Sequence, residues 1–389
     1  MNMGLKDKSI WLGSCGGWHL PRTAQALAQR NALAGLWMSN KSSPGIPPGL
    51  FHRCWPFHLA MKLFYHWAPQ IWVEKLFYRF FPLWRSWLRR QPWPEVEVVQ
   101  AIAGYATEPF DHAEKVGALR VVDCPNSHPR TYQAFWQKEC DTWCPGEKVP
   151  VPAWMFARMQ REMERADVVL CPSIFVRDTM VQNGIPAEKC FINPFGVDTR
   201  QFRPRTELPS RPRFISVGTI CLRKGFQYLF PAFALVKKEL PDAELIVVGD
   251  YKVDFRMQRT QWEGSFTHIP SLSHQELAAL LVTCSAFVFS SVEEGLARVI
   301  PEAMASGLPI IASYESGATT LMRDGVEGLI IPPREPARIA EAMVRLGRDA
   351  SLNLAMGRAA YEAGARNNSW QDYSDRLIAE YARRRSMEK

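Results

Sequence analysis

The feature that most constrains this chain is the regular exchange of short apolar runs with longer stretches of helical periodicity. Apolar runs of four or five residues without polar alternation suit strands covered on both faces, and an intervening helix is what a parallel crossover requires. In the first half, such runs lie at Ser9–Leu12, Val96–Gln100, Leu119–Asp123 and Val168–Cys171. Leu20–Ala34 reads as the first crossover helix, with Pro21 in its first turn. The Pro- and Arg-rich stretch Arg203–Arg213 reads as a linker, and a second series follows at Phe214–Gly218, Leu245–Gly249, Ala286–Ser290, Ile310–Ser313 and Leu329–Ile331. With 389 residues, the expectation is α/β: two Rossmann-like domains facing each other across a cleft, spanning 1–198 and 199–369, with a last helix at 370–389 returning to the first domain. Because α/β sheets bind ligands beyond the carboxyl ends of their strands, the site belongs in that cleft.

Nine cysteines are scattered from Cys15 to Cys284, and only Cys140 and Cys144 lie close together. A structural zinc site wants four ligands at paired short spacings, so reduced, buried thiols of a cytoplasmic protein are the expectation. The polar start, Met1 to Lys8, lacks the apolar stretch of a secretion signal, and no run approaches the length of a bilayer-spanning helix. The formal charge of +8 admits nucleic acid, an anionic membrane or a phosphorylated substrate. No nucleic-acid motif accompanies it.

The most informative stretch runs from Ser290 to Pro309. It leaves a strand, turns through Glu294-Gly295, and enters a short helix that stops at Gly307. Backbone N–H groups at a helix start favour an anion, and ionised carboxylates beside that anion are acceptors for sugar or ribose hydroxyls. Upstream, Val217-Gly218-Thr219-Ile220-Cys221-Leu222-Arg223-Lys224-Gly225 leaves another strand and offers two cations. In the first half, Gly13-Ser14-Cys15-Gly16-Gly17 links a strand to a helix without the G-x-G-x-x-G of a dinucleotide site. A second strand-end cluster, Asp123 to Arg130, contains His128.

These phrases resemble the retaining glycosyltransferases of family four, the glycosyl transferases group 1, which have the GT-B architecture. The family's two glutamates, with seven residues between them, match Glu294 and Glu302, with Gly295, Ala303, Met304, Gly307 and Pro309 in register. Similarity is clear over roughly residues 165–385 and weak before residue 95. The resemblance implies a nucleoside diphosphate sugar donor and a glycan or lipid-linked acceptor, in polysaccharide or glycolipid assembly. Glu294 would hold hydroxyls of the transferred sugar and Glu302 the ribose, while the amides of Leu296 and Ala297 face the β-phosphate beside Gly218. Lys224 matches the family's diphosphate-binding lysine. Thr219 stands where many relatives carry an arginine, and Arg223 is the candidate to replace it. Gly16 and Gly17 would approach the donor phosphates, and His128 would lie near the sugar as a catalytic residue. No D-x-D triplet occurs, so no required metal or cofactor is expected. Two rivals stay open: a non-catalytic scaffold that binds sugar nucleotides, and an NAD(P)-dependent oxidoreductase or epimerase.

The segment Phe51–Trp93 stands apart. It holds 14 aromatics, among them Trp55, Trp67, Trp72, Trp84, Trp87 and Trp93. Arg53, Lys62, Lys75, Arg79, Arg85, Arg89 and Arg90 oppose Glu74 alone. Amphipathic rings with excess positive charge suggest a segment lying on an anionic membrane, at the inner face of the cytoplasmic membrane, because so many rings exceed what one small core should take; the alternative is a helical pair packed on the first domain, its rings in the core and its charges in water.

Overall fold

The computed structural model describes residues 5–17, 19–39, 45–65, 70–146, 151–252, 255, 261–364 and 369–387, and the side chains of residues 64–65, 70–75 and 199 are not among those described. The first sheet contains β1 (Ile10–Ser14), β2 (Leu33–Met38), β3 (Phe51–Arg53), β4 (Val98–Ile102), β5 (Leu119–Asp123), β6 (Val168–Cys171) and β7 (Cys190–Ile192). The second contains β8 (Arg213–Val217), β9 (Glu244–Val248), β10 (Thr267–Ile269), β11 (Ala286–Phe289), β12 (Ile310–Ser313) and β13 (Gly328–Ile331). Their strand orders are β3-β2-β1-β4-β5-β6-β7 and β10-β9-β8-β11-β12-β13. Every named pairing is parallel. Both sheets therefore reverse direction of winding between neighbouring strands, at β1/β4 and at β8/β11. Such a switch point leaves a crevice beyond the carboxyl ends, since the crossover helices depart to opposite faces.

The first crossover helix is shorter than its periodicity suggested. It runs from Leu20 to Gln29 and closes where Ala32 N–H donates to Leu27 O (2.9 Å), with Asn31 at φ +54°. Leu33 and Ala34 belong to β2, which pairs with β1. Asparagine tolerates the left-handed turn that a continuing helix would not contain.

The last helix, Trp370–Met387, packs on helix Leu20–Gln29 and β5 of the first sheet. Tyr373, Leu377 and Tyr381 recur at four-residue spacing and are fully buried, and the Tyr381 hydroxyl donates to Gln100 Oε1 (2.9 Å). Arg376 Nε donates to Asn193 Oδ1 (2.6 Å), fixing the crossing segment that leaves β7.

The aromatic segment packs differently from the membrane expectation. Trp84 is 0% exposed, and Trp37 gathers Trp11, Trp87 and Trp93 at centroid separations of 5.3, 5.8 and 4.6 Å. Phe57 and Phe81 are also buried. Arg85 Nε binds Glu108 (2.5 Å), so part of the positive charge is answered within the fold. Indoles fit because they interlock edge to face, which fills volume densely. Trp67 lies outside the described residues, as do the side chains of Trp72, Glu74 and Lys75. What remains at the surface is a stripe on helix Trp55–Tyr65: Trp55, Leu59 and Leu63, 61%, 55% and 59% exposed.

Trp84→Ala is expected to cost roughly 3–5 kcal/mol of unfolding free energy, the range for emptying a buried indole site. Trp55→Ala should change stability by less than about 1 kcal/mol. Denaturant melts of the two variants check this, and equal losses would contradict the buried aromatic core.

Candidate active site at the junction of the two sheets

The second sheet's switch point supplies the site from two loops. After β8, Gly218 N–H donates to Val248 O (2.8 Å) and the chain turns through Leu222–Lys224 into helix Phe226–Glu239. Gly225 joins them at φ +74°, where an added Cβ would lie 2.0 Å from Ser290 O. Only glycine permits both that φ and that approach. The result pins Arg223 and Lys224 against the loop that leaves β11. Val292 N–H and the Ser291 hydroxyl both donate to Arg223 O, at 2.9 and 3.0 Å.

Glu294 receives both cations on one oxygen. Arg223 Nη1 donates to Glu294 Oε2 (2.9 Å), and Lys224 Nζ binds the same atom while lying 4.7 Å from the Phe289 ring centroid. Burial pushes the Glu294 carboxyl up, but Arg223 and Lys224 outweigh it and hold the group at about 2. Arg223 Nη1 also donates to Glu293 O (3.0 Å), whereas Nε and Nη2 have no hydrogen-bond acceptor among the described residues. Those free donors point to a use in binding oxygens of a ligand. Thr219 is exposed at the end of β8.

Glu302 occupies helix Val299–Ala305, beyond buried Leu296 and Ala297. The amides of Leu296 and Ala297 donate to no protein acceptor among the described residues. Glu302 opens instead to a cleft lined by Arg22, Asp198, His274, Arg298 and Trp370. His274 Nε2 lies 3.6 Å from its carboxylate. Burial dominates here and raises the Glu302 carboxyl to about 7, with Arg298 only partly offsetting it. The two glutamates of one motif thus differ in state: Glu294 is a fixed anion, and Glu302 is poised to titrate.

The first domain contributes less than its sequence suggested. Gly16 and Gly17 lie half-buried in the turn after β1, where Gly16 N–H donates to Ser14 Oγ (3.1 Å). His128 is not displayed in the cleft. It is 0% exposed and caps helix Pro129–Trp143, with Nδ1 accepting from Arg130 N–H (3.2 Å). Burial lowers it to about 4, so it is neutral, and its Nε2 has no partner among the described residues. The structure thus places His128 at a helix start, with its second nitrogen enclosed, rather than open to the cleft. Two other groups escaped sequence reasoning. His19 Nε2 meets Asp123 Oδ2 (2.9 Å) under Phe195, in a buried pair behind the Gly-rich turn. Glu293 turns inward and reaches Ser127 of the first domain. The adjacent acids 293 and 294 were visible in the sequence, but nothing local tells which faces which domain.

Residues 198–363 match the family model described as glycosyl transferases group 1. Similar curated proteins include the sulfoquinovosyl transferase of Arabidopsis thaliana, 28% identical over 54% of this chain and 43% of its own length. Another is a GDP-mannose-dependent phosphatidylinositol monomannoside mannosyltransferase of Mycobacterium tuberculosis, 27% identical over 56% of this chain and 62% of that protein. The matched stretch thus spans about half the length of these relatives. Among solved structures, sucrose-phosphate synthase of Thermosynechococcus elongatus shares the fold at TM-score 0.73 and 17% identity, covering 98% of this chain and 100% of that one. Anabaena HepE, solved with UDP and glucose, follows at TM-score 0.69 and 15% identity, covering 96% and 99%. The two-domain GT-B architecture is therefore shared along the whole chain, and the sequence kinship is concentrated in the second domain.

The state of Glu302 yields a pH test. A carboxyl whose folded value lies above its unfolded one destabilises the fold progressively as pH rises from 4.5 through about 7. Glu302→Gln removes that cost, so its melting temperature should exceed the parent's by roughly 1–4 °C at pH 8. The difference should shrink as pH falls and close below about 4.5, where the carboxyl is protonated both folded and unfolded. A constant difference across pH would contradict the raised carboxyl.

Proposed function

Because residues 198–363 match the glycosyl transferases group 1 family model and the chain shares the GT-B fold, we propose that it transfers a sugar from a nucleoside diphosphate sugar to a glycan or lipid-linked acceptor, with retention of configuration. The observation that carries this reading is the convergence of Arg223 and Lys224 on Glu294 at the switch point of the second sheet.

Breaking the glycosidic bond places growing negative charge on the diphosphate. Arg223, through its free Nε and Nη2, and Lys224 stabilise that charge from fixed positions, aided by the unpaired amides of Leu296 and Ala297. Glu294, already ionised, accepts hydrogen bonds from hydroxyls of the transferred sugar. Glu302 accepts from the ribose hydroxyls once it has lost its proton. Gly218, Gly16 and Gly17 let the backbone approach the phosphates closely. Attack and departure on one face need no enzyme nucleophile, and the leaving phosphate takes the acceptor's proton, so catalysis rests on positioning and charge stabilisation. Two cations and a helix start neutralise the diphosphate without a metal.

A membrane-borne acceptor suits the exposed stripe of Trp55, Leu59 and Leu63. The guanidinium of Arg53 lies 4.6 Å from the Trp55 ring, and Lys62 is exposed on the same helix. An apolar stripe flanked by cations fits the headgroup region of an anionic leaflet. We propose that this stripe, rather than the whole aromatic segment, rests on the inner face of the cytoplasmic membrane.

Glu294→Ala should lower transfer at least about 10²-fold, and Glu302→Ala should weaken nucleotide binding by about 1–3 kcal/mol. Lys224→Ala should cost more than Arg223→Ala, since Lys224 stands at the position of the family's diphosphate-binding lysine. A donor panel read by nucleotide release, with and without EDTA, checks these. Binding without turnover would favour a scaffold, nicotinamide reduction would favour the oxidoreductase reading, and loss with EDTA restored by Mg²⁺ would refute the metal-free account.

For the stripe, Leu59→Asp/Leu63→Asp should abolish co-sedimentation with phosphatidylglycerol vesicles. Arg89→Glu/Arg90→Glu should only reduce it, and phosphatidylcholine vesicles should bind weakly. Recovery in the supernatant with both lipids at low salt would end the membrane proposal.

A further inference from the structure

The buried carboxylate of Glu293 has no part in the reaction described above, yet it joins the two domains at the centre of the site. Its residue is 1% exposed. Oε1 accepts from the backbone N–H and the hydroxyl of Ser127, at 3.0 and 2.8 Å, and Ser127 belongs to the loop after β5 of the first domain. Oε2 lies 3.3 Å from Arg223 Nη1, the same nitrogen that donates to Glu294. One carboxylate therefore has an oxygen in each domain's business.

We infer that Glu293 is both the latch that closes the interdomain cleft and the positioning residue that holds Arg223 for the donor diphosphate. The latch follows from burial. A carboxylate kept from water needs its oxygens hydrogen-bonded, and two of the three donors to Glu293 come from the opposite domain. Opening the cleft strips the two Ser127 donors from Oε1. Charge-assisted bonds of this kind bias an equilibrium by about ten- to a hundredfold in favour of the state that makes them. The positioning role follows from geometry. With Nη1 held by the carboxylate and by the Glu293 carbonyl at 3.0 Å, the guanidinium plane is set and its remaining donors are left for a ligand. Closure and cation placement share one side chain, so the donor site is complete only when the first domain is seated. The positioning role rests on the transferase reading; the latch does not.

The test uses the full chain and separates the two. Amide exchange at residues 125–130 and 291–297, without ligand, reads the latch. Glu293→Ala should raise exchange at Ser127 by about tenfold or more, the worth of charge-assisted bonds lost. Ser127→Ala should raise exchange at His128 and at 291–297 less, and the double variant should not exceed Glu293→Ala, because both changes break one contact. Glu293→Gln keeps an acceptor oxygen for Ser127 but turns an amide donor towards Arg223. It should leave exchange within about threefold of the parent and lower kcat about tenfold or more at little-changed donor KM, as expected when an interaction needed only in the transition state is misplaced. Unchanged exchange in Glu293→Ala, or additive effects in the double variant, would overturn the latch. Should Glu293→Ala fail to fold, the exchange comparison of Ser127→Ala with the parent decides, and no change there overturns it. Parent-like kcat in Glu293→Gln would overturn the positioning role. A parent chain that transfers no sugar yet shows the exchange pattern would refute the transferase reading and leave the latch standing.

Discussion

Everything at the site depends on how closely the carboxyl edges of the two sheets meet at Gly295. A Cβ placed on Gly295 would lie 1.7 Å from Pro125 O, so the loop of the second domain touches the backbone of the first with no side chain between. Ser173 Oγ donates to Gly295 O (2.6 Å) from the other side. That contact decides which way the neighbouring acids face. Glu293 is turned to the first domain, and Glu294 is turned back to the cations after β8. A second polar bridge farther along works in the opposite sense. Glu139 of the first domain is fully buried and accepts from Tyr228 (2.8 Å), Gln227 (2.8 Å) and Arg334 (2.6 Å) of the second. Each domain thus lends the other a carboxylate, and neither is satisfied alone. Apolar interdomain packing would tolerate sliding; buried carboxylates with named donors specify one arrangement.

The electrostatic consequence is that the site's own side chains are close to balanced in charge. Arg223 and Lys224 face Glu293 and Glu294 at contact distance, so the chain's excess positive charge is not concentrated there. An anionic ligand gains less from simple attraction than a bare cation pair would give. It gains instead from donors already oriented and already desolvated, which need not reorganise as charge develops. Arg223, the guanidinium that faces Glu294, is itself anchored at one nitrogen.

How much of this could be read from the sequence follows the range of the interactions. Strands covered on both faces announce themselves as apolar runs, and Leu119–Asp123, Val168–Cys171 and Ile310–Ser313 coincide with their predicted spans. The Glu294-to-Glu302 phrase was legible because a strand, a turn and one short helix hold it locally. Strand β2 was not, because Leu33 and Ala34 continue the periodicity of the preceding helix until Asn31 reverses the chain. Strands β3, β7 and β10 have three residues each, too few to show a period. The placement of His128 was not legible for the converse reason: a histidine after a strand looks the same whether it points into a cleft or accepts from Arg130 N–H at its own helix start. Glu293 needs Ser127, 166 positions away, before it means anything.

The aromatic segment shows the same rule acting on a surface. Composition alone suggested that its rings were too many to bury, but capacity depends on shape. Trp11 and Trp37 present indoles from neighbouring strands, and Trp93 fits between them at 4.8 and 4.6 Å, stacked in turn on His112 at 4.5 Å. Trp84 lies against Trp87 at 5.5 Å, which extends the same cluster along helix Gln70–Leu88. Once these rings are inside, the first domain's core is filled by its own strands and that helix, and helix Trp55–Tyr65 has only one face left to commit to it. Phe57 takes that face. Trp55, Leu59 and Leu63 are four residues apart, so they fall on a common side of the helix away from Phe57 and cannot be buried without turning it over. Their exposure follows from the interior being full, which is why the stripe survives on the outside while most of the segment that suggested it does not.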